Sequence, residues 1–218
     1  MNHSISRRQA LQGALSMAAA GIASAPVVLA QTPSTSSGGT RMPLTKKWDK
    51  VFPRSRQVAH QKVTFRNRYG ITLAGDLYQP RNRGNQKLPA LVLSGPFGAV
   101  KEQSSGLYAQ QFAERGFVTL AFDPSFTGES GGEVRDVASP DIYTEDFSAA
   151  VDHIGLLPFV DRNRIGVMAI CGLSGMALTA ATSDSRIKAV ATASMYEMSR
   201  SISRSYKDSY TREQRHMV

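Results

Sequence analysis

Residues 164–182, RIGVMAICGLSGMALTAAT, decide the fold. The apolar run Arg164–Ile170 is typical of a strand that is buried on both faces of a sheet. The small residues of Gly175–Thr182 predict a helix, and only four residues separate it from the strand. A strand that passes so directly into a helix indicates a βα unit, in which parallel strands alternate with helices.

The same alternation continues outward from this unit. Apolar runs predict further parallel strands, and helical spacing predicts the helices between them: strands Pro89–Leu93, Phe117–Phe122 and Ile187–Ala193, helices Ser105–Arg115 and Tyr143–Leu157. Two runs rich in β-formers, Val58–Asn67 and Ile71–Tyr78, flank a short turn and predict an antiparallel hairpin. We therefore predict an α/β fold, a doubly wound and mostly parallel sheet led by an antiparallel hairpin. No strand pattern follows residue 193, so the C-terminal strands of such a sheet are expected to be missing.

The N-terminus has the composition of an export signal. Arg7 and Arg8 precede an Ala-rich stretch, so residues 1–30 are predicted to be a signal peptide that is cleaved after Ala30 or, alternatively, after Ala25. The arginine pair resembles the bacterial twin-arginine signal, with the general secretion route as the alternative. We expect export to the bacterial periplasm. Polar interruptions in the apolar stretch argue against a stable membrane anchor once the signal is cleaved.

The remaining residues divide into three parts. Residues 31–56 are predicted to be a flexible leader, 57–195 the core, and 196–218 the start of a cap or connecting segment. A hydrophobic fraction of 41% excludes a disordered chain. The net charge of +9 is scattered, which indicates a solvated basic surface and no nucleic-acid partner. The single cysteine excludes an intramolecular disulfide.

The turn after residues 164–170 is also the strongest candidate for chemistry. Cys171 follows the strand directly, in the position of a nucleophile elbow, where the amides at a helix start stabilise a thiolate. Small residues are expected two positions before and two after the nucleophile, and the chain has Ala169 and Leu173 there. Ser174, with Gly172 two positions before it, is the alternative nucleophile, although it lies inside the predicted helix. A buried structural cysteine is the other interpretation of Cys171.

Three stretches together resemble a known family: Gly95–Gln103, Phe122–Gly132 and Gly166–Ala181. In this order they are similar to α/β hydrolases, in particular to the dienelactone-hydrolase-like branch. The resemblance implies hydrolysis of an ester, a lactone or a related acyl bond in a small-molecule substrate.

The resemblance also implies roles for particular residues. Cys171 corresponds to the nucleophile, and the N–H of Gly172 corresponds to one donor of the oxyanion hole. The second donor would come from Phe97 or Gly98 in the loop after the first parallel strand. No phosphate-binding loop, dinucleotide fingerprint or metal-ligand cluster is recognisable, so we expect neither a cofactor nor a metal.

A general base is not recognisable in the sequence. The family places an acid and then a histidine after the nucleophile, on loops that follow later strands. Each of the four histidines is interpreted as a surface, packing or signal residue: His3, His60, His153 and His216. Asp123 and Glu129 are assigned a structural role beside the pocket. The chain is therefore expected to be the N-terminal portion of a longer hydrolase. The alternative is a non-catalytic small-ligand-binding α/β domain that lacks the triad acid and histidine.

Overall fold

Six strands form one mixed sheet in our computed structural model, which describes residues 44–45 and 47–217. The predicted export signal, residues 1–30, and residues 31–43 of the predicted leader lie outside the described residues. The strands are β1 (Val58–Arg66), β2 (Thr72–Pro80), β3 (Leu88–Ser94), β4 (Val118–Phe122), β5 (Val160–Ile170) and β6 (Ile187–Ala193). Their order across the sheet is β1-β2-β4-β3-β5-β6.

The hairpin and the parallel strands both occur where the sequence predicts them. β1 and β2 pair antiparallel, and the turn between them uses Gly70 at a φ of +79°, a conformation that favours glycine. β2 pairs antiparallel with β4, whereas β4, β3, β5 and β6 run parallel. The prediction of a mostly parallel sheet led by an antiparallel hairpin is confirmed.

Helices cover both faces of the sheet. The three that pack on it are α1 (Ser104–Glu114), α2 (Pro140–Gly155) and α3 (Ser174–Ser183). α1 lies on one face, where Ala109 packs in a cluster with Ala121 of β4. α2 and α3 lie on the other, in a larger core that contains Phe147 and the neighbouring β4 residue Phe122. Because side chains alternate along a strand, β4 serves both cores and is buried along its whole length.

The C-terminal part of the predicted leader is among the described residues. Residues 47–56 pack against the domain, and only 7% of the Phe52 surface is exposed. Trp48 donates its indole N–H to the Phe52 carbonyl at 2.8 Å. We call residues 47–56 the arm. Asp49 and Lys50 of the arm are paired in the folded protein (described below). The flexible leader at residues 31–56 stays a prediction.

The chain after β6 consists of short and largely exposed elements. These are α4 (Met198–Arg204), a 3₁₀ turn (Tyr206–Asp208) and α5 (Arg212–His216). α4 is held at its start by Glu197, whose side chain accepts hydrogen bonds from the amides of Ser199 and Arg200. Across residues 44–45 and 47–217, no helix has the length and apolar character needed to cross a membrane.

Candidate active site

The chain turns sharply between β5 and α3, and Cys171 lies at the corner. β5 ends at Ile170, and one 3₁₀ turn, Cys171–Leu173, leads directly into α3. Cys171 has a φ of +57°. For a residue with a Cβ, this left-handed conformation costs on the order of 1–3 kcal/mol. The strained strand-to-helix turn and the half-buried thiol together have the geometry of a nucleophile elbow.

The large residue at position +2 does not obstruct this corner. Leu173 is only 1% exposed and belongs to the core under α2 and α3. Its side chain therefore packs into the protein interior. This explains how the turn tolerates a leucine where the sequence pattern leads one to expect a small residue.

Ser174, the alternative nucleophile, has a different environment. It is the first residue of α3 and is fully buried. Its hydroxyl donates to the carbonyl of Ala169 at 3.1 Å. This bond ties the start of α3 to the end of β5, and the buried hydroxyl offers no surface to a substrate.

The loop after β3, residues 95–103, lies directly against the elbow. A Cβ on Gly95, which has a φ of +100°, would be 2.4 Å from the carbonyl oxygen of Ile170. A Cβ on Gly172 would be 2.9 Å from the Cβ of Phe97. Only glycine fits at either position without a shift of the backbone. The structure thus brings together Phe97 and Gly172, two residues that the sequence analysis assigned to the oxyanion hole.

The backbone amides at this contact are available as donors. The N–H groups of Phe97, Gly98 and Gly172 donate no hydrogen bond to any other residue in the described part of the chain. Gly98 has a φ of +78° and faces open space. Free amides of this kind are what an oxyanion hole requires, because they stabilise the negative charge that develops on a carbonyl oxygen under attack.

Asp123 and Glu129, on the loop of residues 123–132 after β4, have a structural partner. The Lys101 ammonium lies 2.8 Å from the Asp123 carboxylate and 2.7 Å from that of Glu129. Asp123 is fully buried and also accepts the amide N–H of Lys101 at 2.7 Å and that of Glu129 at 2.9 Å. The structural role that the sequence analysis assigned to these two carboxylates agrees with this pairing.

No hydrogen bond, ion pair or ring contact joins Cys171 to any of the described histidines. His60 is on β1, four strand spacings from β5, which corresponds to about 19 Å. Its Nε2 is 2.7 Å from Asp76. His153 is on the last turn of α2, and its ring lies against Phe65 of β1. His216 is exposed on α5.

His153 has a packing role. Its ring stacks on Phe65 with a centroid distance of 5.1 Å. Burial lowers the pKa of His153, although the nearby Asp152 opposes this effect. The Nε2 atom is buried without a hydrogen-bond partner in the described chain.

Two further side chains border the elbow. The Met198 sulfur would lie 3.0 Å from a Cβ on Gly172, so the start of α4 covers this residue. The Tyr143 ring, on α2, has its centroid 6.3 Å from that of Phe97. Met198 belongs to residues 196–218, predicted as the start of a cap or connecting segment, and Tyr143 was predicted only as the first residue of a helix.

The described residues contain no group of three or more histidine, cysteine, aspartate or glutamate side chains arranged to hold a metal ion. The elbow itself presents a half-buried thiol, free amides and an apolar rim.

Comparison with known proteins gives one family match. Residues 69–217 match the sequence model of the family described as X-Pro dipeptidyl-peptidase (S15 family). The chain is also similar to an uncharacterized protein of Pseudomonas aeruginosa, PA2218, at 63% identity over 98% of this chain and 58% of that protein. A thiohydrolase of Eupenicillium brefeldianum is 31% identical over 63% of this chain and 43% of its own length. The chain thus spans about half the length of the curated relatives it matches.

Solved structures agree with the sheet topology. The crystal structure of PA2218 superposes with a TM-score of 0.79 at 67% identity, covering 82% of this chain and 56% of that one. The α/β hydrolase GrgF from a Penicillium species gives a TM-score of 0.58 at 29% identity, covering 62% and 45%. A dienelactone hydrolase-like phosphotriesterase from metagenomic libraries gives 0.51 at 20% identity, covering 62% and 59% of the two chains, a likeness of fold alone.

Proposed function

Because the chain belongs to the X-Pro dipeptidyl-peptidase (S15) family of α/β hydrolases, we propose that it cleaves acyl bonds of small molecules through a covalent intermediate on Cys171. Esters, lactones and thioesters are the proposed substrate class. The α/β-hydrolase fold expected from the sequence resemblance is confirmed. The observation that carries the proposal is the strained corner at Cys171, where a half-buried thiol meets free backbone amides.

The proposed reaction begins with attack of the Cys171 thiolate on the substrate carbonyl carbon. A C–S bond forms, and the carbonyl electron pair moves to the oxygen, which accepts hydrogen bonds from the N–H groups of Gly172 and of Phe97 or Gly98. Collapse of this tetrahedral intermediate restores the carbonyl and expels the alcohol or thiol, which takes up a proton. Water then attacks the acyl-thioester, releases the acid and regenerates the thiol.

A thioester substrate is supported by two features. One is the thiohydrolase with 31% identity over 63% of this chain. The other is the chemistry of the nucleophile: exchange of one thioester for another is close to balanced in energy, so the leaving group can be a thiol of ordinary basicity.

Acylation of the only cysteine in the chain provides the test. The full chain is incubated with p-nitrophenyl acetate, and intact-protein and peptide mass spectrometry locate any added acetyl group. We expect one acetyl group, on Cys171, and none in Cys171→Ala. Ser174→Ala is the matched control, since it removes a neighbouring buried hydroxyl and should leave the acyl-thioester unchanged. An adduct that persists in Cys171→Ala but disappears in Ser174→Ala would overturn the assignment of the nucleophile.

A second candidate function is binding of an acyl compound without turnover. It is favoured by the positions of His60, His153 and His216, none of which is joined to the thiol by a hydrogen bond or ion pair in the described chain. If the protein only binds acyl compounds, we expect saturable binding of a non-hydrolysable substrate analogue and no release of acid. Multiple turnover of p-nitrophenyl acetate that is lost in Cys171→Ala would exclude it.

We also propose that the protein is exported to the bacterial periplasm. The support is the sequence of residues 1–30, with Arg7 and Arg8 ahead of the Ala-rich stretch. In a bacterial host we expect a mature N-terminus at Gln31 and loss of export when both arginines are replaced by lysine. Full export of the double-lysine variant would indicate the general secretion route, and an intact N-terminus in the cytoplasm would refute export.

A further inference from the structure

The loop that carries the proposed oxyanion donors ends in a buried charge cluster. We define this cluster as eight charged residues that lie between the hairpin, the arm and the loops after β3 and β4: Asp49, Lys50, Lys62, Asp76, Lys101, Glu102, Asp123 and Glu129. Three ammonium groups face five carboxylates. Loss of one ammonium therefore leaves buried negative charge without a partner, which is strongly destabilising locally.

Lys101 is the centre of this cluster. Its side chain is fully buried, and its ammonium lies 2.7 Å from Glu102, 2.8 Å from Asp123 and 2.7 Å from Glu129. The ammonium donates hydrogen bonds to Asp123 and Glu129 and forms an additional ion pair with Glu102. Burial lowers the pKa of Lys101, but the charges of Asp123 and Glu102 outweigh this effect and raise it. The side chain therefore stays charged and fixed.

The position of Lys101 connects the cluster to the elbow. The loop after β3 is anchored at its start by Ser94, whose hydroxyl donates to the Phe122 carbonyl at 2.9 Å. It is anchored at its end by Lys101, which holds the loop after β4 through both its ammonium and its backbone N–H. Between these anchors lies Phe97, which contacts Gly172.

The arm closes the cluster from outside. The amide of Val51 donates to the Glu102 carbonyl at 3.1 Å. Lys62 of β1 bridges Asp49 of the arm at 2.9 Å and Glu129 at 2.7 Å. The loop after β3 is therefore held from the side opposite the elbow.

From this geometry we propose that Lys101 is a positioning residue: its buried ammonium fixes the loop after β3 so that the amides of Phe97 and Gly98 face the oxyanion formed at Cys171. This inference rests on the proposed function. It implies that Lys101, at the far end of the loop, affects one chemical step, the acylation of Cys171. Acylation needs the oxyanion donors, whereas alkylation of the same thiol by iodoacetamide forms no oxyanion and does not need them.

The ratio of these two rates tests the inference. In the full chain carrying Lys101→Met, we expect the rate constant for acetylation of Cys171 to fall at least about 10-fold, because small displacements of catalytic groups cost this much. Alkylation of Cys171 by iodoacetamide should change less than about twofold, because alkylation of this half-buried thiol does not use those amides. A purely structural role for Lys101 would not change one rate without the other.

Lys50→Met is the matched control. It also removes a fully buried ammonium from the cluster. Lys50 lies 2.7 Å from Asp49, 2.8 Å from Asp76 and 3.8 Å from Glu102, and it has no ion pair with Asp123 or Glu129 in the described chain. We expect Lys50→Met to lower the stability of the protein but to keep the wild-type ratio of the acetylation rate to the alkylation rate. An equal change of the ratio in both variants, or no change in Lys101→Met, would overturn the inference.

Two outcomes keep the inference separate from the proposed function. If the wild-type chain forms no acyl-thioester at Cys171, the proposed function fails and this inference fails with it. If the wild type is acylated and Lys101→Met keeps its ratio, only the positioning role is wrong. Should Lys101→Met not fold, judged by circular dichroism, Glu129→Gln replaces it, with an expected selective loss of about threefold, since one of three ion pairs weakens to a neutral hydrogen bond.

Discussion

A single methyl group at Gly172 tests the packing of the two loops that form the proposed site. A Cβ at this position would lie 2.9 Å from the Phe97 Cβ and 3.0 Å from the Met198 sulfur. The sulfur is at the end of a flexible side chain and can move. The Phe97 Cβ is attached to the backbone, so the loop after β3 has to shift by several tenths of an ångström.

The expected cost of Gly172→Ala follows from this geometry. Overpacking of a well-packed site costs about 1–3 kcal/mol. For about 2 kcal/mol, a domain of this size loses about 4–8 °C in Tm. Since Phe97 carries a proposed oxyanion donor, acetylation of Cys171 by p-nitrophenyl acetate should also slow about 10-fold.

Gly175→Ala is the control for this variant. It introduces the same methyl group three residues later, in α3, where nothing lies within 4 Å of the new Cβ. Alanine is favoured over glycine in a helix by up to about 1 kcal/mol, so its Tm should stay the same or rise. Differential scanning fluorimetry measures both Tm values. A Gly172→Ala protein with the Tm and acetylation rate of the wild type would refute the contact between the loop and the elbow.

Three further predictions concern individual buried groups. Ser174→Ala removes one buried hydrogen bond to Ala169 and should lower the free energy of unfolding by about 1 kcal/mol in urea titrations; no change would contradict its structural role. Burial raises the pKa of Glu129, but Lys101 and Lys62 outweigh it and hold the pKa at about 2. Glu129 therefore stabilises the fold above pH 4.5, and this stabilisation is lost toward pH 2. Relative to Glu129→Gln, the stability advantage of the wild type should be about 1 kcal/mol at pH 7, allowing for partial exposure, and should be lost as the pH falls through about 2. A pH-independent difference would refute the pairing. Because burial lowers the pKa of His153, the unfolded chain binds the proton more tightly, so the wild type should lose stability relative to His153→Leu as the pH falls below 6.5; parallel curves would be contrary to this.

Much of the fold could be predicted because it rests on local patterns. The parallel strands contain mostly apolar runs, and the elbow joins the run 165–170 to a helix of small residues within four positions. β6 was predicted with the bounds that the structure has, Ile187–Ala193. Strand β5 begins at Val160, four residues before the predicted start. The prediction missed this part because residues 161–164 are polar and partly or fully exposed, so they lack the apolar pattern.

The arm and the charge cluster could not be predicted because they depend on pairs of distant residues. Lys101 and Asp123 are 22 positions apart, and Lys62 and Glu129 are 67 apart. Each of these side chains is charged, and charged side chains in a loop indicate a solvated surface when nothing is known of their partners.

The two halves of the proposed reaction depend on different parts of the chain. Attack by the thiolate needs Cys171, the amide of Gly172 and the loop that ends at Lys101, which are all held in contact around the end of β5. Hydrolysis of the acyl-thioester needs in addition a group that removes a proton from water. No histidine in the described chain is joined to Cys171 by a hydrogen bond or ion pair, and Asp123 and Glu129, the carboxylates of the neighbouring loop, are engaged by Lys101. Acylation therefore uses the thiolate and the amides around the end of β5, whereas deacylation needs a base in addition to these groups. We expect acylation to be much faster than deacylation.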